Sequence, residues 1–240
     1  MELNKNYKGN AKPLIEKIVF TYASLTSANQ GFTPYQNDEV AAMNLGGLPQ
    51  NVIQEIVTDP TYAEQLMMGL AQKTTYITFD TTKPPFDDPK VREAFAISID
   101  RETICDKVLN GTCKANNYFL PLNFPGYSDE LNSIQAYNPE RAKQLMAEAG
   151  YPDGQGFPQM TYYVRQDDPV APEAVTAMWQ ETLGVTVSIE QFERGTFMQK
   201  MAGRQFQLYQ LAYGADFPDP DNFLGLWIST ANRHEWTNSA

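Results

Sequence analysis

A single histidine, His234, and two cysteines, Cys105 and Cys113, leave this 240-residue chain few soft ligands for a transition metal. With no CxxC spacing either, the sequence argues against a zinc site. GxSxG, HExxH, GxGxxG and Walker patterns are all missing, and with them the usual signatures of hydrolysis, dinucleotide binding and phosphoryl transfer. No apolar run approaches the roughly 18 residues needed to span a bilayer. The start, Met1-Glu2-Leu3-Asn4-Lys5, lacks the basic-then-apolar order of a signal peptide. Basic residues are few and scattered: 18 Lys and Arg stand against 29 Asp and Glu, a net charge of -11. That balance argues against nucleic acid and anionic lipid as partners, and it suits a protein exposed to water that tolerates cationic ligands.

Rings, by contrast, are plentiful. Aromatic residues make up 12% of the chain, with thirteen Tyr and thirteen Phe, a composition suited to a cavity lined by ring faces. The densest chemistry lies at Ala215-Asp216-Phe217-Pro218-Asp219-Pro220-Asp221-Asn222-Phe223, directly after a hydrophobic run from Phe206 to Tyr213 that reads as a strand. Proline cannot donate to a ladder, so that strand should end near Pro218 and leave Asp216 just past it. Open α/β sheets present their ligand crevice at such strand ends. Asp216 is therefore the candidate carboxylate for a cationic group. Asp219 or Asp221 has a second reading, as the cap of a helix running toward Leu226 and Trp227. A calcium loop through Asp216, Asp219 and Asp221 would lack the central glycine and distal glutamate of the standard site.

Elsewhere the spacing predicts strands at Glu16–Tyr22, Lys73–Asp80, Met160–Val164 and Val185–Ile189. Helices are expected from Pro60 to about Leu70, after Asp88-Pro89, after Asp100, after Asn138-Pro139 up to Gly150, over Pro172–Leu183 and around Phe197 and Met201. Helices and strands alternate through the second part, which argues α/β. Thr81-Thr82-Lys83-Pro84-Pro85 reads as a boundary between lobes. Arg92 is expected to pair with Asp100 or a nearby carbonyl. Cys105 and Cys113 flank Asn110-Gly111, where a turn would join them as a disulfide; two buried thiols are the alternative.

Several segments together resemble the extracellular solute-binding proteins of peptide/nickel-type ABC importers. They are Leu3-Asn4-Lys5-Asn6-Tyr7-Lys8-Gly9 with Lys12-Pro13 and Ile18-Val19-Phe20, the segment entering a strand; Phe79 with Pro85-Phe86-Asp87-Asp88-Pro89-Lys90-Val91-Arg92-Glu93-Ala94; and Ile99-Asp100-Arg101. Tyr137-Asn138-Pro139-Glu140-Arg141-Ala142, Ala149-Gly150-Tyr151, Leu183-Gly184-Val185 and Ala215-Asp216-Phe217 complete the set. The resemblance implies a periplasmic-binding-protein-like α/β lobe of the type II clamshell, a mixed sheet flanked by helices. It also implies a chain covering only part of a longer protein: residues 1–80 within lobe one, 81–230 as lobe two and 231–240 starting the return crossover.

The expected function is capture of short peptides for an ABC permease, without catalysis, cofactor or metal, by a monomer that is periplasmic, extracellular or lipid-anchored. Oligosaccharide binding is the alternative within the family, and a carboxylate-dependent hydrolase the alternative outside it. In peptide-binding members an aspartate at the position of Asp216 pairs with the ligand's α-ammonium. Arg165 lies near where some dipeptide binders place an arginine for the ligand carboxylate, with a surface arginine as the alternative, and Tyr213 and Phe217 are candidate pocket walls, with core packing as the alternative for each.

Overall fold

The computed structural model describes residues 2, 6–9, 14–20, 32–45, 48–167 and 171–227. Residues 1–53 and 54–240 form two separate units. In the first, Glu2 and Lys17 share an isolated antiparallel bridge and a 3.2 Å ion pair, and helix α1 spans Phe32–Gln36. The strand expected at Glu16–Tyr22 is not found among its described residues. Ile18, Val19 and Phe20 have no regular structure and are exposed. Among the described residues no strand lies beside them, and propensity without a paired strand does not make a sheet. Helix α2, Gln50–Thr58, carries the chain from the first unit into the second. Asp59 then caps α3, accepting the Thr61 amide, but α3 covers only Pro60–Ala63. The helix expected to reach Leu70 stops there, and Met67 and Leu70 are exposed rather than on a core-facing stripe.

The second unit is built on four strands: β1 (Lys73–Phe79), β2 (Met160–Arg165), β3 (Val187–Phe192) and β4 (Leu208–Gly214). Their order is β1-β4-β2-β3, with β1 antiparallel to β4 and the other pairs parallel. The sheet is therefore mixed, and β1 is laddered to β4 along its whole length, from Lys73 opposite Gly214 to Phe79 opposite Leu208. Strand β1 thus lies N-terminal to the boundary expected at residues 81–85 and in the same sheet as β2, β3 and β4.

Proline-led helices begin where an acid or amide precedes the ring. Asp88 accepts from the Lys90 amide to start α4 (Pro89–Ile97). Asp100 caps α5 (Arg101–Thr103), which runs into a π-turn at Ile104–Val108. Helix α6 spans Asp129–Ser133, and Asn138 accepts from the Arg141 amide to start α7 (Pro139–Glu148). Helices α8 (Pro172–Leu183) and α9 (Arg194–Ala202) supply the two right-sized crossovers that parallel strands require. Arg92 donates to the carbonyls of Phe86 (2.7 Å) and Asp87 (3.0 Å), the carbonyl alternative of the two partners expected for it. Cys105 and Cys113 are joined, across a turn in which Asn110 and Gly111 both take positive φ.

Strand alternation sends two different layers to the two faces of this sheet. One face meets α4, α7 and α8: Tyr162, Val164 and Leu208 pack with Phe95, Leu145, Met146 and Trp179. Inside it the Tyr162 hydroxyl donates to Gln210 Oε1 at 2.7 Å, so both polar groups are satisfied while fully covered. The other face carries Tyr209, Leu211, Tyr163 and Tyr76 against Phe197 and Met201 of α9.

At the end of α8, Gly184 has φ +72, and a Cβ there would stand 2.3 Å from the Asp153 carbonyl oxygen. Gly156, at φ +75, has open space at the same position. Gly184→Ala should therefore cost about 2 kcal/mol or more, and Gly156→Ala only the conformational part, about 1 kcal/mol. Urea unfolding of the two variants measures the difference. Equal losses would show that the close approach to Asp153 relaxes freely.

Candidate ligand-binding site

Because β2, β3 and β4 run parallel, their carboxyl ends lie along one edge of the sheet. Two residues beyond β4, Asp216 is held from two directions while its side chain stays exposed. Its amide donates to Asn222 Oδ1 at 2.9 Å, and the Tyr213 hydroxyl donates to its Oδ2 at 3.1 Å. Asn222 is buried, so the acceptor that fixes the Asp216 backbone is itself shielded from water.

The acid-rich turn closes through a local bond typical of aspartate: Asp219 Oδ1 accepts the Asp221 amide at 2.9 Å. Helix α10 follows, over Asp221–Leu224. This differs in detail from the capping expectation. Pro220 occupies the cap position, Asp219 binds the first helical amide from one residue further back, and the helix ends before Leu226 and Trp227. Among the described residues no three acidic, histidine or cysteine side chains are grouped as metal ligands.

Phe223, fully buried, pins the turn from below. Its ring meets Phe124 at 5.1 Å, Phe119 at 5.5 Å and Tyr213 at 5.3 Å, all edge-on, a favoured geometry for aromatic pairs. The loop carrying Phe119 and Phe124 approaches closely at Gly126, whose φ is +81. A Cβ there would lie 2.8 Å from Pro220 Cγ. Tyr76 of β1 and Trp227 extend the ring layer, each near 5 Å from Phe119.

The structure joins Tyr213 to Asp216 by a hydrogen bond. Phe217 follows directly and is half exposed. Arg165 ends β2, the strand beside β4, and is engaged within the chain. Its Nε donates to Asp167 Oδ1 at 2.8 Å and a terminal nitrogen to Oδ2 at 2.5 Å. That hydrogen bonding, with the charges of Arg165 and Arg194, holds the Asp167 carboxyl below its ordinary range despite partial burial. Sequence reasoning gave Asn222 little weight and Gly126 none. An amide six residues past the aspartate is a readable cue, whereas the Gly126–Pro220 approach spans 94 positions of sequence and has no local signal.

Comparison with known proteins shows the family of the chain. Residues 1–235 match the family described as bacterial extracellular solute-binding proteins, family 5 Middle. The chain belongs to that family. Its relatives include the periplasmic oligopeptide-binding protein OppA of Salmonella typhimurium, 27% identical over 98% of this chain and 43% of that protein. Another is heme-binding protein A of Haemophilus influenzae, 30% identical over 75% of this chain and 33% of that one. The chain thus spans under half the length of these relatives.

Among solved structures, the oligopeptide-binding protein OppAIV of Borrelia burgdorferi superposes with a TM-score of 0.74 at 25% identity. It covers 87% of this chain and 41% of that one. The murein tripeptide-binding protein MppA of Escherichia coli gives 0.70 at 27% identity, over 80% and 38%. The fold is accordingly that of a periplasmic binding protein, α/β with a helix-flanked mixed sheet, and the named relatives are binding proteins.

Proposed function

We propose that this chain carries the ligand-binding lobe of an ABC importer's substrate-binding component, which captures short peptides by their free amino terminus. The observation that carries the reading is the placement of Asp216. It is an exposed carboxylate past a central strand end, its backbone fixed by buried Asn222 and its side chain steadied by Tyr213. A carboxylate held this way offers an ammonium group a directional, charge-assisted bond. The names of relatives support it, since OppA and the dipeptide-binding protein of Escherichia coli are both named for peptides.

Residues 81–230 form the peptide-bearing lobe in this proposal, and residues 1–80 lead to it through β1. Residues 231–240 return to the other lobe; they lie outside the described residues. Phe217 and Tyr213 wall the first side-chain pocket. Arg165 takes a ligand carboxylate only in exchange for Asp167.

Closure of the lobes presents the loaded protein, as a monomer, to the membrane subunits of the permease, and no catalytic step is involved. The Cys105–Cys113 bridge supports an oxidising compartment, periplasmic or extracellular, with lipid attachment as one form of the latter. Calorimetric titration of the protein, expressed from its complete reading frame, with pools of di- to pentapeptides and of cello- and xylo-oligosaccharides tests the reading. Heat from the peptide pool alone is expected. Binding of the saccharide pool alone would overturn it.

A further inference from the structure

A carboxylate on a loose loop and one on a clamped loop carry the same charge, but they differ in the ordering that binding has to supply. We infer that Asn222 is a positioning residue for ligand recognition: it does not meet the ligand, yet the hold of Asp216 on an ammonium depends on it. The inference rests on Asp216 being the ammonium partner. The Asp216 side chain is exposed, so its direction follows chiefly from the main chain that carries it and from its contact with Tyr213.

That main chain belongs to a closed turn. The Asp216 amide donates to Asn222 Oδ1 at 2.9 Å and joins the two ends of the segment. Within it the Asp219 amide donates to the Phe217 carbonyl, and the Asn222 amide to the Asp219 carbonyl, each at 3.0 Å. Pro218 and Pro220 fix two of the intervening φ angles. On the other side, the Ala215 amide donates to the Gln72 carbonyl at 2.8 Å, which ties the chain to the residue before β1. Between these anchored stretches, the bond to Asn222 fixes the Asp216 peptide itself. Asn222 can act as the anchor because it is buried on α10 next to Phe223, whose ring packs on Phe124 and Tyr213. The acceptor is therefore in place before a ligand arrives. Loosening it should weaken a ligand that bonds to Asp216 and leave one that does not unaffected.

The test titrates trialanine and N-acetyl-trialanine into the wild-type protein, Asn222→Leu, Asn222→Ser, Asn222→Asp and Asp216→Ala. Leucine matches asparagine in size and lacks the acceptor, and the serine oxygen stops one bond short of Oδ1. Both variants should lose roughly five- to tenfold on trialanine, the scale of one hydrogen bond. Neither should lose affinity for the acetylated peptide, and that retained affinity shows that the variant is folded. Should Asn222→Leu not fold, Asn222→Ser supplies the reading. Asn222→Asp keeps an acceptor oxygen for the Asp216 amide and should bind trialanine within roughly threefold of wild type. Unchanged trialanine affinity in Asn222→Ser, equal losses on both ligands, or an Asn222→Asp variant as weak as Asn222→Ser would overturn the inference. Asp216→Ala separates the two levels. If it binds trialanine as wild type does, the ammonium reading itself is wrong; if it loses affinity while the Asn222 variants do not, only the positioning role fails.

Discussion

Trp179→Ala should unfold at a urea midpoint lower by about 3–5 kcal/mol of stability, with no change in the slope of the transition. Trp179 is fully buried in the layer where α4, α8 and β2 meet. Its ring stands 4.9 Å from Phe95 and 5.4 Å from Tyr162, and its Nε1 donates to the Phe95 carbonyl at 3.0 Å. Phe95 in turn packs on Phe86 and Phe157, so the cavity left by alanine would be walled by rings already fixed by other neighbours. Walls of that kind collapse poorly, which places the cost toward the upper end. The Phe95 carbonyl keeps the Ser98 hydroxyl as a donor at 3.1 Å, so the loss is chiefly one of packing. Trp179→Phe should therefore recover most of the stability. Phe217→Ala, removing a ring that is half exposed, should stay within about 0.5 kcal/mol. A Trp179 loss as small as that of Phe217 would contradict this description of the core.

Asp216→Ala should weaken peptide binding roughly 10- to 100-fold, the range for one hydrogen bond to a charged group, while leaving the unfolding midpoint nearly unchanged. The two effects separate because the scaffold of the turn does not depend on the carboxylate. Asn222 binds the Asp216 amide, which alanine retains, and Phe223 and Pro220 are placed by the layer beneath. Tyr213 loses its acceptor but stays packed against Phe223. Lost binding together with lost stability would mean that Asp216 holds the turn rather than the ligand.

The parts of this fold that could be read from sequence are those governed by a few adjacent residues. Asp88-Pro89 and Asn138-Pro139 announced α4 and α7 because a cap and a first-turn proline act within one helical turn. Leu183-Gly184 ended α8 for the same local reason. Misreadings came where the outcome depends on a partner. Ile18, Val19 and Phe20 have strand propensity, but among the described residues no strand lies beside them, and Met67 and Leu70 have helical spacing but are exposed. Helix α2 went unread because Leu48-Pro49 precedes it in sequence, with no acid or amide before the proline to mark a cap. At the candidate site, the position of Asp216 just past the end of β4 was legible from strand, acid and proline in sequence order. The exchange of hydrogen bonds among Asp216, Tyr213 and Asn222, and the bidentate pairing of Arg165 with Asp167, needed the coordinates, since each depends on where a strand stops.

The central claim is that the Asp216 carboxylate recognises a ligand ammonium, and calorimetry with trialanine and N-acetyl-trialanine, on wild type and Asp216→Ala, tests it most directly. Acetylation removes the ligand's charge and Asp216→Ala the protein's, so the two changes should be strongly non-additive. The predicted result is that acetylation weakens binding to the wild-type protein roughly 10- to 100-fold and has little further effect on Asp216→Ala. Equal losses on acetylation in both proteins would contradict the claim and assign the ammonium to a different partner.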